Sequence, residues 1–536
     1  MTISNFSVSD WGISYTYSSY LSFSEIDLNK LAVRLITNDL AELIVESNQI
    51  VYWKFNDELR VAQLLFTPDE DGNSGAFHLE LLFGSTLEMT EDIEVFFEDA
   101  CNLAFSDQKL FNTTDVKKNI RVYCQKFLAK YSYGEFLILP CLKIFEDGVT
   151  LVKYKLESKN KDIKIYDFIE NFVNLGLNKF LDIKVSPSIS KLSSISYMYS
   201  IKQSIFSRFK CLKDAKMHIN EVNNRTSEYT IENQIFRLVE FPGAENNKDS
   251  FSSLTLTYLN IINFIYVAPK SDWHFLLFGI NGRVHQSNYW SGRPYVYLFD
   301  FKDKEQTASQ NNNKFYKEFI GIIQRAYNPY TKIQELPEDM RAFEDSSDFI
   351  SSSGYLCAFS NILNEDGVKN AIYNKEIISE YLEYGYIIHK ALKAKIQYSN
   401  NLSETFLLRS YVNNLGELYE LSYSGEVRTF LEKGWQEFGL SKIKKQIDEE
   451  INIDHDHKNY KYQIYNNNFN RFLTIIFGVL TIPTIAKEVI VPIWKYSEIR
   501  VPKDENLITI FSLIIAFFTI TTLVYLLRIL LKFNKK

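Results

Sequence analysis

From Leu507 to Leu527 the chain runs for 21 residues without a charged side chain. At 1.5 Å per residue a helix of that length covers about 31 Å, enough to cross a hydrocarbon core of about 30 Å. A buried helix of a soluble protein would carry charges over such a length, so the run predicts a transmembrane helix at 507–527. A second apolar stretch precedes it. Phe472 to Ala486 is uncharged, Lys487 and Glu488 interrupt, and Val489 to Trp494 is apolar again. Together these predict a first span at 471–494. Lys487 and Glu488 then sit near the far interface, where long side chains reach water, and Trp494 and Tyr496 serve as interfacial anchors. The alternative is an interfacial or re-entrant segment stopped at Pro483, a residue that kinks helices.

Flanking charge sets the orientation. Lys442, Lys444, Lys445, Lys458, Lys461 and Arg471 precede the first span, and Arg528, Lys532, Lys535 and Lys536 follow the second in a basic tail at 528–536. The 495–506 loop is nearly balanced. The Lys/Arg bias predicts two cytoplasmic termini and a short external loop. In the first span Asn467, Arg471, Thr474, Gly478, Thr481, Ile485 and Glu488 recur at steps of four and three, so they share one helical face. A polar or small stripe there is turned away from lipid. It either lines a pore, which two helices cannot enclose without oligomerising, or packs helix against helix.

Residues 351–470 read as a helical stalk. Ile377, Tyr381, Tyr384, Ile388, Ala391 and Lys395 follow a helical period. Further helices are predicted over Phe406–Leu421 and Glu426–Ile451, with Gly425, Gly434 and Gly439 as break points. Asp454-His455-Asp456-His457 reads as a solvated polar linker, its metal-ligand residue types notwithstanding.

Residues 1–350 read as a soluble mixed α+β domain, a possible sensor. A helix is predicted over Glu25–Val45, strands over Arg60–Thr67 and Ala76–Phe83 forming a β-hairpin around Pro68–Asn73, and a further strand over Tyr295–Phe301. Trp273–Phe278 and Arg283–Gln286 flank Asn281-Gly282, a hairpin signal. Asp69, Asp71, Asn73 and Glu80 resemble part of a calcium loop, but Ser74 stands where such a loop needs glycine, and a plain turn is the expectation. Arg283, His285, Tyr289, Trp290 and Arg293 combine two guanidiniums, a histidine and two aromatics, a set able to hold a phosphate and stack a base, or else an ordinary aromatic core edge.

A net charge of −7 argues against direct nucleic-acid binding. The five cysteines have no CxxC spacing and read as buried reduced thiols. The first residues show no basic or apolar leader pattern, so the soluble region is expected to stay unexported. No nucleotide-loop, nucleophile-elbow, zinc-protease or kinase motif is present, and an enzyme is not the expectation.

The order of parts over Lys375–Lys536 resembles the CorA-type divalent-cation channels. That resemblance implies a cytosolic domain, a stalk, a pentamer and a pore-lining first span. The family's external Gly-Met-Asn motif is missing: Val491-Pro492-Ile493-Trp494-Lys495-Tyr496-Ser497-Glu498 stands there. Relatives without that motif are membrane effectors of prokaryotic antiviral defence, including type III CRISPR systems, with a soluble domain that senses a nucleotide second messenger. The resemblance therefore implies an oligomeric effector or channel of the prokaryotic inner membrane, gated by a cytosolic ligand. A divalent-cation (magnesium) transporter and a membrane-tethered enzyme or scaffold are the alternatives.

Overall fold

The computed structural model describes residues 5–20, 26–47, 49–68, 77–82, 88–111, 118–158, 162–177, 180–200, 205–231, 234–241, 251–268, 272–278, 288–326, 335–397, 422, 424–496 and 505–533. The chain divides into two compact units, Met1–Tyr398 with Leu408–Asp448, and Ser399–Leu407 with Glu449–Lys536.

The first unit is mixed α+β. Its strands are β1 (Ser7–Tyr20), β2 (Ala41–Glu46), β3 (Ile50–Phe55), β4 (Glu58–Pro68), β5 (Phe77–Leu82), β6 (Asn119–Cys124), β7 (Phe127–Tyr131), β8 (Gly134–Phe145), β9 (Val149–Ser158), β10 (Ile163–Lys164), β11 (Asp182–Val185), β12 (Ser227–Ile231), β13 (Gln234–Glu240), β14 (Asn288–Phe301), β15 (Ser346–Ile350) and β16 (Tyr355–Phe359). The main path runs β15-β16-β14-β1-β9-β8-β6-β2-β3-β4-β5. Its pairings are antiparallel except β14 with β16. The helices are α1 (Leu28–Thr37), α2 (Glu91–Leu110), α3 (Ile165–Phe168), α4 (Pro187–Ser200), α5 (Ile205–Arg225), α6 (Phe251–Val267), α7 (Asp272–Phe278), α8 (Ala308–Lys314), α9 (Tyr316–Gln324), α10 (Glu365–Gln397) and α11 (Gly425–Glu437).

Alternation along the strands gives the sheet two unlike faces. Trp11, Ile13, Tyr15 and Tyr17 of β1, Val152, Tyr154 and Leu156 of β9, and Val296 and Leu298 of β14 belong to the large apolar core shared with α1 and α6. The intervening residues point the other way. Ser14, Thr16 and Ser18 on β1, Lys153 and Lys155 on β9, Lys143 on β8 and Arg121 on β6 lie on the face that α10 and α2 pack against.

The longest pairing is β1 with β14, with an irregularity between Thr16 and Ser18. Gly292 lies opposite it, and a Cβ there would fall 1.1 Å from the Thr16 carbonyl oxygen. Backbone cannot yield as a side-chain tip does. Gly292→Ala is therefore expected to destabilise the unit by about 2 kcal/mol or more, read as a fall in urea midpoint at unchanged slope; an unchanged midpoint would refute the close approach.

Several expectations meet their elements. β4 and β5 pair as the hairpin read from 60–83, Tyr295–Phe301 lies in β14, and the helical period from Ile377 lies in α10. Others are corrected. The helix read over Glu25–Val45 is two elements. Asp27 caps α1, accepting from the Lys30 N–H at 3.0 Å, but Asp39 at φ 53 turns the chain, and Leu43-Ile44-Val45 suits the pleated sheet better. The strand read over Trp273–Phe278 is α7, whose Phe275 and Leu276 pack on Cys211 and Leu212 of α5. Arg283–Gln286, the calcium-loop turn at 69–76 and the whole of Phe406–Leu421 fall outside the described residues. From 351 onward the chain does not form a separate stalk at once: β16, α10 and α11 belong to the first unit. The helix read over Glu426–Ile451 breaks at Gly439, which sits at φ 73. The five cysteines are buried free thiols.

The second unit contains most of α12 (Leu440–Ile485), a π segment at Ala486–Ile490, α13 (Val491–Tyr496) and α14 (Glu505–Phe533). Asp454–His457 is part of α12 rather than a turn, with Lys458 paired to Asp454 at 2.6 Å one helical turn away. Pro483 and Pro492 flank the π segment; each lacks an N–H, and the widened ladder is a local adjustment to that loss. Two helices here are long and apolar enough to cross a membrane.

Candidate functional site

Helix α10 carries Glu376, Glu380 and Glu383 at steps of four and three, hence on one stripe. That stripe lies on the cationic side of the sheet. Glu380, fully buried, takes both Arg121 nitrogens at 2.6 and 2.8 Å, Lys143 at 2.9 Å and Lys153 at 2.6 Å. Glu376 takes Lys153 at 3.1 Å and Lys155 at 3.0 Å. Lys143 also reaches Asp107 of α2 at 2.8 Å and Lys155 reaches Asp99 at 3.5 Å. Glu383 binds Arg293 at 2.7 Å and accepts from the Tyr295 hydroxyl at 2.9 Å. Burial alone would raise the carboxyls of Glu376 and Glu380. For Glu380 the cations Arg121, Lys143 and Lys153 outweigh it and hold the group well below the usual range. For Glu376, Lys153 and Lys155 outweigh it and bring the group down to about 2. Glu376 and Glu380 are thus kept ionised inside the unit.

Beside this network α2 and the N-terminal half of α10 leave a cleft of about 550 Å³ over the sheet, the size of ordinary small-molecule sites. Its floor includes Gly12, Ser14, Lys155, Tyr297 and Phe299, and its walls carry Glu98 and Asp99 from α2 and Glu365, Ile372, Tyr373 and Glu376 from α10. Ser14 and Tyr297 are 7% and 5% exposed, and neither hydroxyl has a hydrogen-bond partner among the described residues. Burial, then the charge of Glu376, pushes the Tyr297 hydroxyl well up, so it stays protonated. Lys155 stays charged: Asp99 and Glu376 outweigh the desolvation that would lower it.

A second cleft, about 440 Å³, sets Lys126, Lys191 and Arg237 against Asp39, Glu42 and Asp92. Burial, then Asp92, pushes the Glu42 carboxyl up to about 7. Its lining is balanced in charge, with Asp39 tied to Lys54 at 2.6 Å.

Of the residues read from sequence as a phosphate grip, the described Arg293 lines neither cleft. Arg283 and His285 lie outside the described residues. Tyr289 and Trp290 pair through β14 with Ser19 and Ser18 of β1. Arg293 is 3% exposed; it donates to Glu383 and to the Ser352 carbonyl at 2.9 Å and lies 3.6 Å over the Phe438 ring. Its guanidinium is spent on holding β14 to α10. Among the described residues no three His, Cys, Asp or Glu side chains are placed to hold a metal ion.

The stripe of the first span divides. Asn467, Arg471, Thr474, Thr481 and Glu488 are exposed, while Gly478 and Ile485 are half-buried. A Cβ on Gly478 would lie 3.8 Å from Ile520 of α14. Ala486 is buried, as are Ser512 and Ala516, and Ile508, Ser512, Ala516 and Ile520 make one face of α14 at steps of four. Small residues thus pack one span against the other, as helix pairs in lipid do.

The Glu376-Glu380-Glu383 stripe and the strand cations were missed from sequence. Lys153-Tyr154-Lys155 reads as a strand with one solvated face, and only the carboxylates at helical spacing could have signalled a charged partner. No known protein family, curated protein or solved structure matches this chain.

Proposed function

We propose that this chain is an oligomeric effector or channel of the prokaryotic inner membrane, gated by a small ligand held in its globular unit and acting in antiviral defence. The observation that carries the membrane part is the outer surface of the hairpin. Phe472, Ile475, Phe477 and Leu480 on one helix and Phe511, Phe517 and Phe518 on the other are largely exposed. An apolar surface of that extent calls for lipid or further copies of the chain. The exposed polar half of the stripe, from Asn467 to Thr481, is the part available to face an oligomer axis.

The gating part is supported by how α10 is built. Its N-terminal half walls the larger cleft. Its middle carries the glutamates. Further along, Gly385 lets α11 come close: a Cβ there would meet the Trp435 indole at 2.7 Å, and the indole N–H donates to the Leu382 carbonyl at 3.1 Å. α11 is followed in the chain, after Gly439, by α12, which contains the first span. The defence setting rests on the resemblance alone.

Vesicles loaded with a fluorescent dye and carrying the full-length protein are expected to leak when the gating ligand is supplied, with candidate nucleotides and polyamines as first probes. Gly385→Leu, which wedges α10 from α11, is expected to cut ligand-dependent leakage at least tenfold at equal protein incorporation. Protein that stays tight under every probe removes the channel reading. Leakage that ignores Gly385→Leu removes the α10–α11 joint from it.

A further inference from the structure

We infer that the cleft between α2, α10 and the sheet binds an organic polyamine cation, which names the ligand left open above and rests on that reading only for its effect on the membrane. Six carboxylates, Asp10, Glu98, Asp99, Glu157, Glu365 and Glu376, line the cleft against three lysines, Lys155, Lys304 and Lys369. Six against three leaves a formal excess of three negative charges. Lys155 is saturated by Asp99 and Glu376. Lys304 donates to the Phe299 carbonyl at 2.6 Å, and burial lowers its pKa. Lys369 is exposed at the rim. A phosphate-bearing ligand would enter a field of its own sign, whereas a cation is drawn in.

Charge alone would not make a site. The second observation is the pair of orphan hydroxyls on the floor. A buried hydroxyl without a partner costs stability, and Ser14 and Tyr297 both line this one cleft. Each offers an oxygen lone pair to an ammonium N–H. The carboxylates are strung around the cleft on four elements, with Asp10 on β1, Glu98 on α2, Glu157 on β9 and Glu365 on α10, and they form no cluster able to hold a metal. Spaced anions of this kind match amines separated by methylene chains. Val95, Val368, Ile372 and Phe299 supply apolar surface for those methylenes. Glu98 and Glu365 are exposed and have no ion-pair partner among the described residues, so a bound cation displaces no internal bond from them.

The test is titration of detergent-solubilised full-length protein with spermidine, with ATP and inorganic phosphate as anionic comparisons, at low and high salt. Spermidine is expected to bind and to weaken at high salt, and the two anions are not. The Glu98→Gln/Glu365→Gln double variant, altered only at exposed side chains, should raise the spermidine Kd about tenfold. Tyr297→Phe should raise it about fivefold while leaving the ligand-free melting temperature equal to or above that of the unaltered protein, since the lost hydroxyl had no partner. Absence of spermidine binding, binding indifferent to both variants, or tighter binding of ATP in the same cleft overturns the assignment. Spermidine binding that never alters vesicle leakage leaves the site standing and removes the gate. Nucleotide-triggered leakage untouched by Glu98→Gln/Glu365→Gln does the reverse.

Discussion

Glu380→Ala is expected to lower the melting temperature of the globular unit by about 10 °C. Glu380 has no solvent exposure and meets three cations. Without it, Lys143 keeps Asp107 and Lys153 keeps Glu376, but Arg121, 6% exposed, loses its carboxylate. Leaving a buried charge uncompensated costs roughly 3–5 kcal/mol, a large part of a total stability of about 5–15 kcal/mol. In a unit of this size each kcal/mol corresponds to a few degrees. The discriminating experiment pairs it with Arg121→Leu. If the network is as described, Glu380→Leu/Arg121→Leu loses much less than the sum of its single variants, because removing both partners leaves no orphan. Simple additivity, or an unchanged melting temperature for Glu380→Ala, would contradict the geometry. Glu98→Ala, on the exposed side of α2, serves as the near-neutral comparison.

The same network sets the acid limit of the fold. Glu376 is held at about 2 in the folded chain against 4.5 for the free group, and Glu380 is depressed as well. A depressed carboxyl contributes stability above its unfolded pKa and loses it as pH falls toward its folded value. The contribution of this network should therefore be level above about pH 5 and fall between 4.5 and 2, with Glu376 alone accounting for on the order of 3 kcal/mol, whereas Glu42, raised to about 7, withdraws stability as pH climbs from 4.5 toward 7. Melting temperatures across that range check the sign; a protein that gains stability on acidification would reverse it.

These charges also show why the sequence was legible in some places and opaque in others. Leu507–Leu527 could be read because lipid imposes a rule on a single segment, with no partner required. The β4–β5 hairpin could be read because turn chemistry is local. Lys143, Lys153 and Arg121 could not. A lysine alternating with Leu, Val and Ile reads as a strand with one wet face, and only the arrival of α10 from more than two hundred residues away makes that face dry. Arg293 stayed ambiguous for the same reason: near two aromatic residues it suited a phosphate grip or a core edge, and its partner Glu383 comes from another element. The cleft is still less visible, since Ser14, Glu98, Tyr297 and Glu365 share no local pattern. Within the hairpin, helical spacing grouped Gly478 with Thr474 and Thr481. The two helices then placed Gly478 against Ile520 and left the threonines outside, a distinction that depends on where the second helix lies.

Phe518→Arg is expected to reduce membrane insertion of the second span sharply, and its sign separates the two environments this helix could occupy. Phe518 lies near the middle of the uncharged run and is 64% exposed. In water, exchanging an exposed phenylalanine for arginine would improve solubility and change folding little. In lipid, an arginine at the centre of a span costs roughly 3 kcal/mol on the insertion scale. Ala516→Leu gives the complementary case. Ala516 is fully buried, one turn before Ile520 on the α14 face that meets Gly478, so a larger apolar residue there leaves insertion intact and disturbs the packing of the pair. Insertion read by glycosylation of an engineered site, together with resistance to alkaline extraction, should fall for Phe518→Arg and hold for Ala516→Leu. If Phe518→Arg instead yields more extractable, better-behaved protein, the helix is not in lipid, and the exposed phenylalanines must be covered by protein.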